Sequence, residues 1–314
     1  MVVEKNRKIR VALLAGGRSG EREVSLAGAA GFEAAIDRER YDIRRYDPKT
    51  DLALLARDAD SIDVAFILLH GNYGEDGTMQ GYLDLLDIPY QGSGVLGSAL
   101  AMDKNMAKIL YRLHGLPVAE WEMARPEDSE DPARLLATLE LPLVIKPVRE
   151  GSSLGMTIAH DEKQLLEGVR LAYDYDSEVM VEQFLAGREL TVGVLGNNEL
   201  TPLPLVEIIP GEEYAFFDYT AKYKEGATRE ICPAEVDAAI TAKAQALAVT
   251  AHRALRLRGY SRTDMILTPE GFLYLLETNT IPGMTPTSLF PQAAAAAGLD
   301  FTTLISRLLE LALE

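Results

Sequence analysis

Residues 9–15 read IRVALLA and run directly into Gly16-Gly17. An apolar run of this length, closed by two glycines, is a buried strand ending in a turn. SLAGAAGFEAAIDRE follows with helix composition, and Ser25 is placed to cap it. YDIRRYD and VAFILLH are two further strands. Strand, helix, strand, strand over residues 9–70 predicts an open α/β sheet.

Beyond it the pattern changes. After HGNYGEDG come a helix, TMQGYLDLLD, and a short strand, IPYQ. Residues 103–115 look helical, and 125–134, rich in Pro, Asp and Glu, form a surface connection. The strand LPLVIKP runs into the loop REGSSLG; a helix over 161–174 precedes the strands EVMVEQFL, ELTVGVLG and LPLVEII. An Ala-rich helix spans 235–258, MILTPEGFLYLLETN is a hairpin turning at Pro269-Glu270-Gly271, and a helix closes the chain from Leu299.

The 314 residues suit two or three domains. A net charge of −17 opposes non-specific nucleic-acid binding and anionic membranes, so a phosphate-bearing substrate needs a locally basic site. One cysteine, Cys232, excludes an internal disulfide and a Cys-rich zinc site. MVVEKNRKIR lacks a secretory core, and the longest aliphatic and aromatic run, Val64 to Leu69, is far short of the ~20 residues of a membrane span. The expectation is a cytoplasmic protein with no nucleic-acid or membrane partner.

Two short motifs mislead. GSGVLG at 92–97 fits a dinucleotide fingerprint but follows several elements, not a first strand, and reads as a turn into a helix. GSSLG at 151–155 fits a nucleophile elbow, yet strand-like MTIAH follows it. The loop REGSSLG better suits phosphates, with its backbone N–H groups as donors. Lys146, ending an apolar strand, either meets an anionic ligand or snorkels. Asp103 reads as an N-cap, which puts Lys104 in the first helical turn against the dipole; an anion nearby, or a later helix start, accounts for it.

The hairpin carries the strongest local argument. With Pro269-Glu270 as a two-residue loop, Asp264 faces Leu275, and Glu277 is its diagonal neighbour at ~7–8 Å. Arg262 and Asn279 share that face by the strand period of two. Asp264, Glu277 and Asn279 offer hard oxygen donors suited to Mg²⁺ with substrate phosphates completing the shell. Arg262 there either meets developing negative charge or pairs with Asp264 or Glu277. Met265, Leu267, Leu273 and Leu275 argue against a solvated face. In NTIPGMTPTS, Gly283 can bring a backbone N–H close to a ligand and Ser288 adds a hydroxyl. GGRSGEREVS can hold a carboxylate or phosphate by its backbone, and an ammonium by Glu21. His70, at a strand end, is a ligand contact or a satisfied structural histidine.

Together GGRSGEREVSL, LLHGNYGEDGTMQG, AMDK, VIKPVREGSSLGM, FFDYTAKY, SRTDM and LLETNTIPGMTPTSL resemble the D-alanine–D-alanine ligase family of the ATP-grasp fold. The matches run in order from residue 9 to about 290. The resemblance implies an α/β (α+β) protein of three-domain ATP-grasp architecture with an N-terminal open parallel α/β domain. It implies ligation of two D-alanines for peptidoglycan through an acyl phosphate, with ATP as substrate, two Mg²⁺ or Mn²⁺ ions, and a homodimer. The alternatives are another ATP-grasp carboxylate–amine ligase or, disfavoured by the tyrosine in AKY, a D-alanine–D-lactate ligase. A dinucleotide-dependent oxidoreductase is the remote alternative from another class.

By the same resemblance, Glu21 holds the ammonium of the first D-alanine and His70 lies near its carboxylate. Lys104, Lys146 and Lys222 meet the phosphates or base of ATP. Glu182, Gln183, Phe184 and Leu185 form the segment that reads adenine, and Glu189 contacts the ribose. Ser152 and Tyr223 link to Glu21 and close a lid loop, in the stretch 219–230. Arg262 and the Gly283 N–H form an oxyanion hole, and Asp264, Glu277 and Asn279 hold the metal ions. Ser288 and Leu289 contact the second carboxylate. The implied boundaries are 1–102 for the N-terminal substrate domain, 103–185 for the central subdomain, and 186–314 for the C-terminal subdomain with metal site and lid.

Overall fold

In the computed structural model, residues 7–211 and 228–314 are described, and their strands form three sheets. The first is parallel, with strand order β2-β1-β3: β1 is Ile9–Leu14, β2 Tyr41–Tyr46 and β3 Val64–Ile67. Parallel neighbours need crossovers, supplied by α1 (Arg22–Ala35) and α2 (Leu52–Asp58). Three helices follow: α3 (Thr78–Leu85), α4 (Val95–Met102) and α5 (Lys104–Leu113).

Several local expectations need correction. IPYQ is not a strand; its tyrosine makes only an isolated bridge, Ala65 to Tyr90. Ser25 does not cap α1, which starts earlier with Glu21 at its N-cap position. Buried inside the helix, the Ser25 hydroxyl accepts from the Gly16 N–H at 2.8 Å and donates to the Leu68 carbonyl, pinning two strand ends. GSGVLG is a turn into α4, with Gly94 as N-cap. Asp103 does cap α5, accepting from the Met106 N–H at 2.9 Å.

The second sheet is antiparallel, order β4-β7-β5-β6. Its elements are β4 (Trp121–Met123), α6 (Ala133–Leu136), β5 (Leu143–Pro147), β6 (Thr157–Ala159), α7 (Glu162–Tyr173) and β7 (Val179–Gln183). Leu143, Ile145 and Val181 pack under Leu165 and Val169 of α7. The period of two therefore turns Val144, Lys146 and Glu182 to the opposite face.

The third sheet runs β11-β10-β8-β12-β13, with β9 beside β8. Its strands are β8 (Arg188–Leu195), β9 (Thr201–Pro202), β10 (Val206–Pro210), β11 (Thr228–Ile231), β12 (Tyr260–Leu267) and β13 (Leu273–Asn279). Helix α8 (Ala238–Ala254) joins β11 to β12; α9 (Leu289–Ala296) and α10 (Phe301–Leu313) end the fold. Ala244, Ala248 and Ala251 of α8 pack with Leu190, Val192, Met265 and Leu275, leaving the other face of β8, β12 and β13 to a cleft. Leu304 and Leu308 of α10 return to Val11, Val64 and Phe66 of the first sheet in one shared core. Among the described residues no helix is long and apolar enough to cross a membrane.

Candidate active site

The open faces of the second and third sheets enclose a cleft of about 990 Å³. Val144 and Ile158 on one wall face Ile266 and Leu276 on the other, giving an apolar slot. Lys104, Lys146, Glu182 and Glu189 line it, as do Asp264 and Glu277. The connection leaving β7 adds Gln183, Phe184 and Leu185. Sequence positions separated by more than a hundred residues thus meet in one cavity. Lys222 and Tyr223, with most of the stretch read as a lid, lie outside the described residues.

The open question at Lys146 has a specific answer: its ammonium pairs with Glu182 Oε1. Lys108 of α5, which sequence reasoning passed over, lies 2.6 Å from Glu182 Oε2. Burial pushes the Glu182 carboxyl up, but the two ammonium groups outweigh it and hold the group down at about 2. Burial pushes the Lys108 ammonium below its ordinary range. Lys104 does sit in the first turn of its helix, where its Nζ donates to the Glu150 carbonyl at 2.6 Å and lies 3.9 Å from Glu277 Oε2. These oxygens offset the unfavourable dipole.

The hairpin brings its four polar residues together in a register different from the expected one. The Gly271 N–H donates to the Thr268 carbonyl at 2.9 Å, and the Thr268 N–H to the Phe272 carbonyl at 2.8 Å, with Gly271 at φ +86°. The tip is thus a tight turn completed by a left-handed glycine, one residue longer than a two-residue loop. Leu276 then bulges from β13, so the register shifts between Asp264 and Met265. Asp264 consequently stands directly opposite Glu277, and Arg262 opposite Asn279. The diagonal relation is replaced by direct cross-strand pairs.

Asp264 is buried and well partnered. It accepts from Arg262 Nε at 2.9 Å and Nη2 at 2.7 Å, from Asn279 Nδ2 at 3.0 Å and from the Thr191 hydroxyl at 2.5 Å. Burial works against the Arg262 charge, yet Asp264 beside it drives its pKa above the ordinary value. Among the described residues no three carboxylate, imidazole or thiolate groups cluster to hold a metal by themselves. Two facing carboxylates and an amide are nonetheless hard donors, the partial set that Mg²⁺ or Mn²⁺ uses when phosphate oxygens complete its shell.

A second cavity, about 1510 Å³, opens beside the cleft, and Ser152 and Glu277 line both. Glu21 and His70 line it from the first sheet, and Arg262 and Asn279 from the third. Gly283, Ser288 and Leu289 form its far side. The Gly/Ser loop is tied across it: Ser152 donates to Glu21 Oε1, and Asn72 Nδ2 to Glu150 Oε1 at 2.9 Å. Ser152 and Ser153 hold φ values of +50° and +58°, a left-handed bend uncommon outside glycine. Burial lowers the His70 pKa, so the imidazole is neutral near pH 7. Ser288 is the N-cap of α9, whose positive end faces the cavity. A Cβ on Gly283 would come within 3.0 Å of Ser288 Oγ, which explains the small residue there.

Two further acids in this cavity escaped the sequence reading. Glu75, inside HGNYGEDG, accepts from the Gly71 and Ile281 N–H groups at 2.8 and 3.3 Å; burial, with Glu21 nearby, pushes it up to about 8. Its signal in the sequence is an acid set between glycines in the motif that also carries His70. Glu230 of β11 accepts from Gln292, and burial pushes its pKa up. Nothing local in its sequence sets it apart.

The family described as D-ala D-ala ligase C-terminus matches residues 110–310, and that described as D-ala D-ala ligase N-terminus matches 48–93. A D-alanine–D-alanine ligase of Desulfotalea psychrophila is 58% identical over 315 residues, covering 100% of this chain and 98% of the relative. Among solved structures, the D-alanine–D-alanine ligase of Bacillus anthracis complexed with ATP is 33% identical with a TM-score of 0.84, over 98% of this chain and 97% of its own. The VanG D-Ala:D-Ser ligase of Enterococcus faecalis has the same identity, 33%, and TM-score, 0.84, over 98% and 100%.

Proposed function

We propose how the site works in this chain, which belongs to the D-alanine–D-alanine ligase family: it joins two D-alanines with hydrolysis of ATP to ADP and phosphate, a cytoplasmic step toward peptidoglycan. The observation that carries this reading is the junction of two cavities at Ser152 and Glu277. One is an apolar slot with cations in its lining, fit for a nucleotide. The other has a carboxylate at one side and a helix N-terminus at the other, fit for amino acids.

In this reading ATP lies between the units 103–185 and 186–314, with adenine against residues 182–185, ribose at Glu189 and phosphates toward Lys104, Lys146 and Lys222. Glu21, oriented by Ser152, holds the ammonium of the first D-alanine beside the unit 1–102, and neutral His70 sits near its carboxylate. That carboxylate attacks the γ-phosphorus, ADP leaves, and an acyl phosphate forms. Asp264, Glu277 and Asn279 would hold Mg²⁺ or Mn²⁺, which supplies charge neutralisation for the phosphates.

The amine of the second D-alanine, bound as its carboxylate at Ser288 and Leu289, then attacks the acyl carbon. The C–N bond forms, phosphate departs with the C–O bonding pair, and the proton lost by the amine leaves with that phosphate. The negative oxygen of the tetrahedral intermediate meets Arg262 and the Gly283 N–H. Tyr223 completes the link to Glu21, and the assembly is a homodimer. The test is phosphate release by the purified protein with ATP, Mg²⁺ and D-alanine. D-lactate and D-serine serve as competing acceptors, the latter because of the likeness to a D-Ala:D-Ser ligase. No release with D-alanine sinks the reading.

A further inference from the structure

Lys108 is 0% exposed, does not line the cleft, and spends its ammonium on a carboxylate that already has a partner. It follows Lys104 by one helical turn, on the same side of α5. Its Nζ lies 5.4 Å from the Trp121 ring centroid, and that ring also carries Arg112 at 4.3 Å. Indole Nε1 donates to Asn105 at 2.9 Å, so α5 fixes the ring on both sides. Burying such a charge is expensive, and an apolar residue of similar volume is often neutral or stabilising in its place. Stability is therefore a poor reason for a lysine here.

The charge count offers a better one. Glu182 lies between two ammonium groups, and Glu182 and Lys146 line the slot. Without Lys108, Lys146 and Glu182 would cancel, and the pair would offer no net charge inside a chain of net charge −17. With it, the three groups together carry one uncompensated positive charge at the slot, where a buried charge acts through little water.

We propose that Lys108 is a positioning residue for the nucleotide: by pairing with Glu182 Oε2 it offsets the charge of the carboxylate whose Oε1 holds Lys146, leaves the three groups with a net positive charge, and so makes the cleft select polyanionic nucleotides over neutral nucleosides. This rests on the cleft being the ATP site. A Lys108→Met variant loses the selecting charge while filling similar space.

The test is calorimetric binding of ATP, ADP and adenosine to the whole protein. Wild type binds ATP more tightly than adenosine. Lys108→Met weakens ATP roughly ten- to thirtyfold and leaves adenosine within about twofold. The double variant Lys108→Met/Glu182→Gln releases Lys146 again and regains most of the preference for ATP over adenosine, a recovery that a purely structural role does not produce; loss of an adenine contact at Glu182 weakens both ligands alike. The double variant also stands in should the single variant fail to fold, since it leaves no unpaired carboxylate. Equal losses for ATP and adenosine, unchanged ATP affinity, or a double variant no more selective for ATP over adenosine than Lys108→Met overturns the proposal alone. Wild type that binds no ATP overturns the ligase reading along with it.

Discussion

Ser152 donates its hydroxyl to Glu21 Oε1 across 131 positions of sequence, joining the Gly/Ser loop between β5 and β6 to the N-terminus of α1. Both residues line the second cavity, so the carboxylate borders the space assigned to an amino-acid ammonium. Ser152→Ala removes a hydrogen bond to a charged group, worth about 1.5–3 kcal/mol. The Michaelis constant for D-alanine should rise about ten- to a hundredfold, with that for ATP changed far less. Initial rates with each substrate varied in turn check this; equal rises in both would argue for collapse of the loop.

Glu277 stands across from Asp264 because Leu276 bulges. Glu277→Gln replaces a hard anionic donor by a neutral amide. The Mg²⁺ concentration for half-maximal rate should rise at least about tenfold, with a heavy loss of turnover at limiting Mg²⁺. Near-normal turnover there would refute the metal assignment.

Arg262 divides its guanidinium between Asp264 and the second cavity. Its loss should lower kcat by about 10²–10³, more than it raises KM for D-alanine, because an oxyanion donor acts mainly in the transition state. Arg262→Lys should recover only part, lacking the planar fork. The pair with Asp264 adds a weakened Mg²⁺ response to Arg262→Ala. A large drop in thermal midpoint with kcat nearly intact would favour a purely structural arginine.

His252 on α8 is buried against the Ser261 hydroxyl at 2.8 Å, and burial, aided by Arg253, lowers its pKa from 6.5 to about 4. The unfolded chain therefore binds the extra proton first. The stability tied to neutral His252 is full above pH 6.5, falls as the pH drops, and is lost by about pH 4. At pH 5 the loss is about 2 kcal/mol. Denaturant unfolding of wild type and His252→Gln from pH 7 to 4 should give a shallower slope for the variant; parallel curves would refute the assignment.

What the sequence displayed was governed by period and composition. IRVALLA alternates little because β1 is buried on both faces, and the polar residues of 262–279 share one side because strands repeat every two residues. What it concealed depended on distance. The bulge at Leu276 has no marker such as glycine, yet it sets which carboxylates face each other. Ser25 has the chemistry of a cap, but tertiary demand from Gly16 and Leu68 drew it into a helix interior. Lys108 looks like an ordinary surface lysine of an amphipathic helix; only the arrival of Glu182 from β7 makes it a buried ion. The roles of Lys222 and Tyr223 rest on resemblance alone, since they lie outside the described residues.

The return of α10 to the first sheet has a consequence for biosynthesis. Val11 and Phe66 share their core with Leu304 and Leu308, so the first sheet cannot complete its apolar packing until about 240 residues beyond Phe66 have been added. During translation, at ~5–20 residues per second, that face stays uncovered for tens of seconds. Assembly of the first sheet thus waits on the last helix, and a nascent chain halted before Leu304 would present an open apolar surface to whatever chaperone or neighbour is at hand.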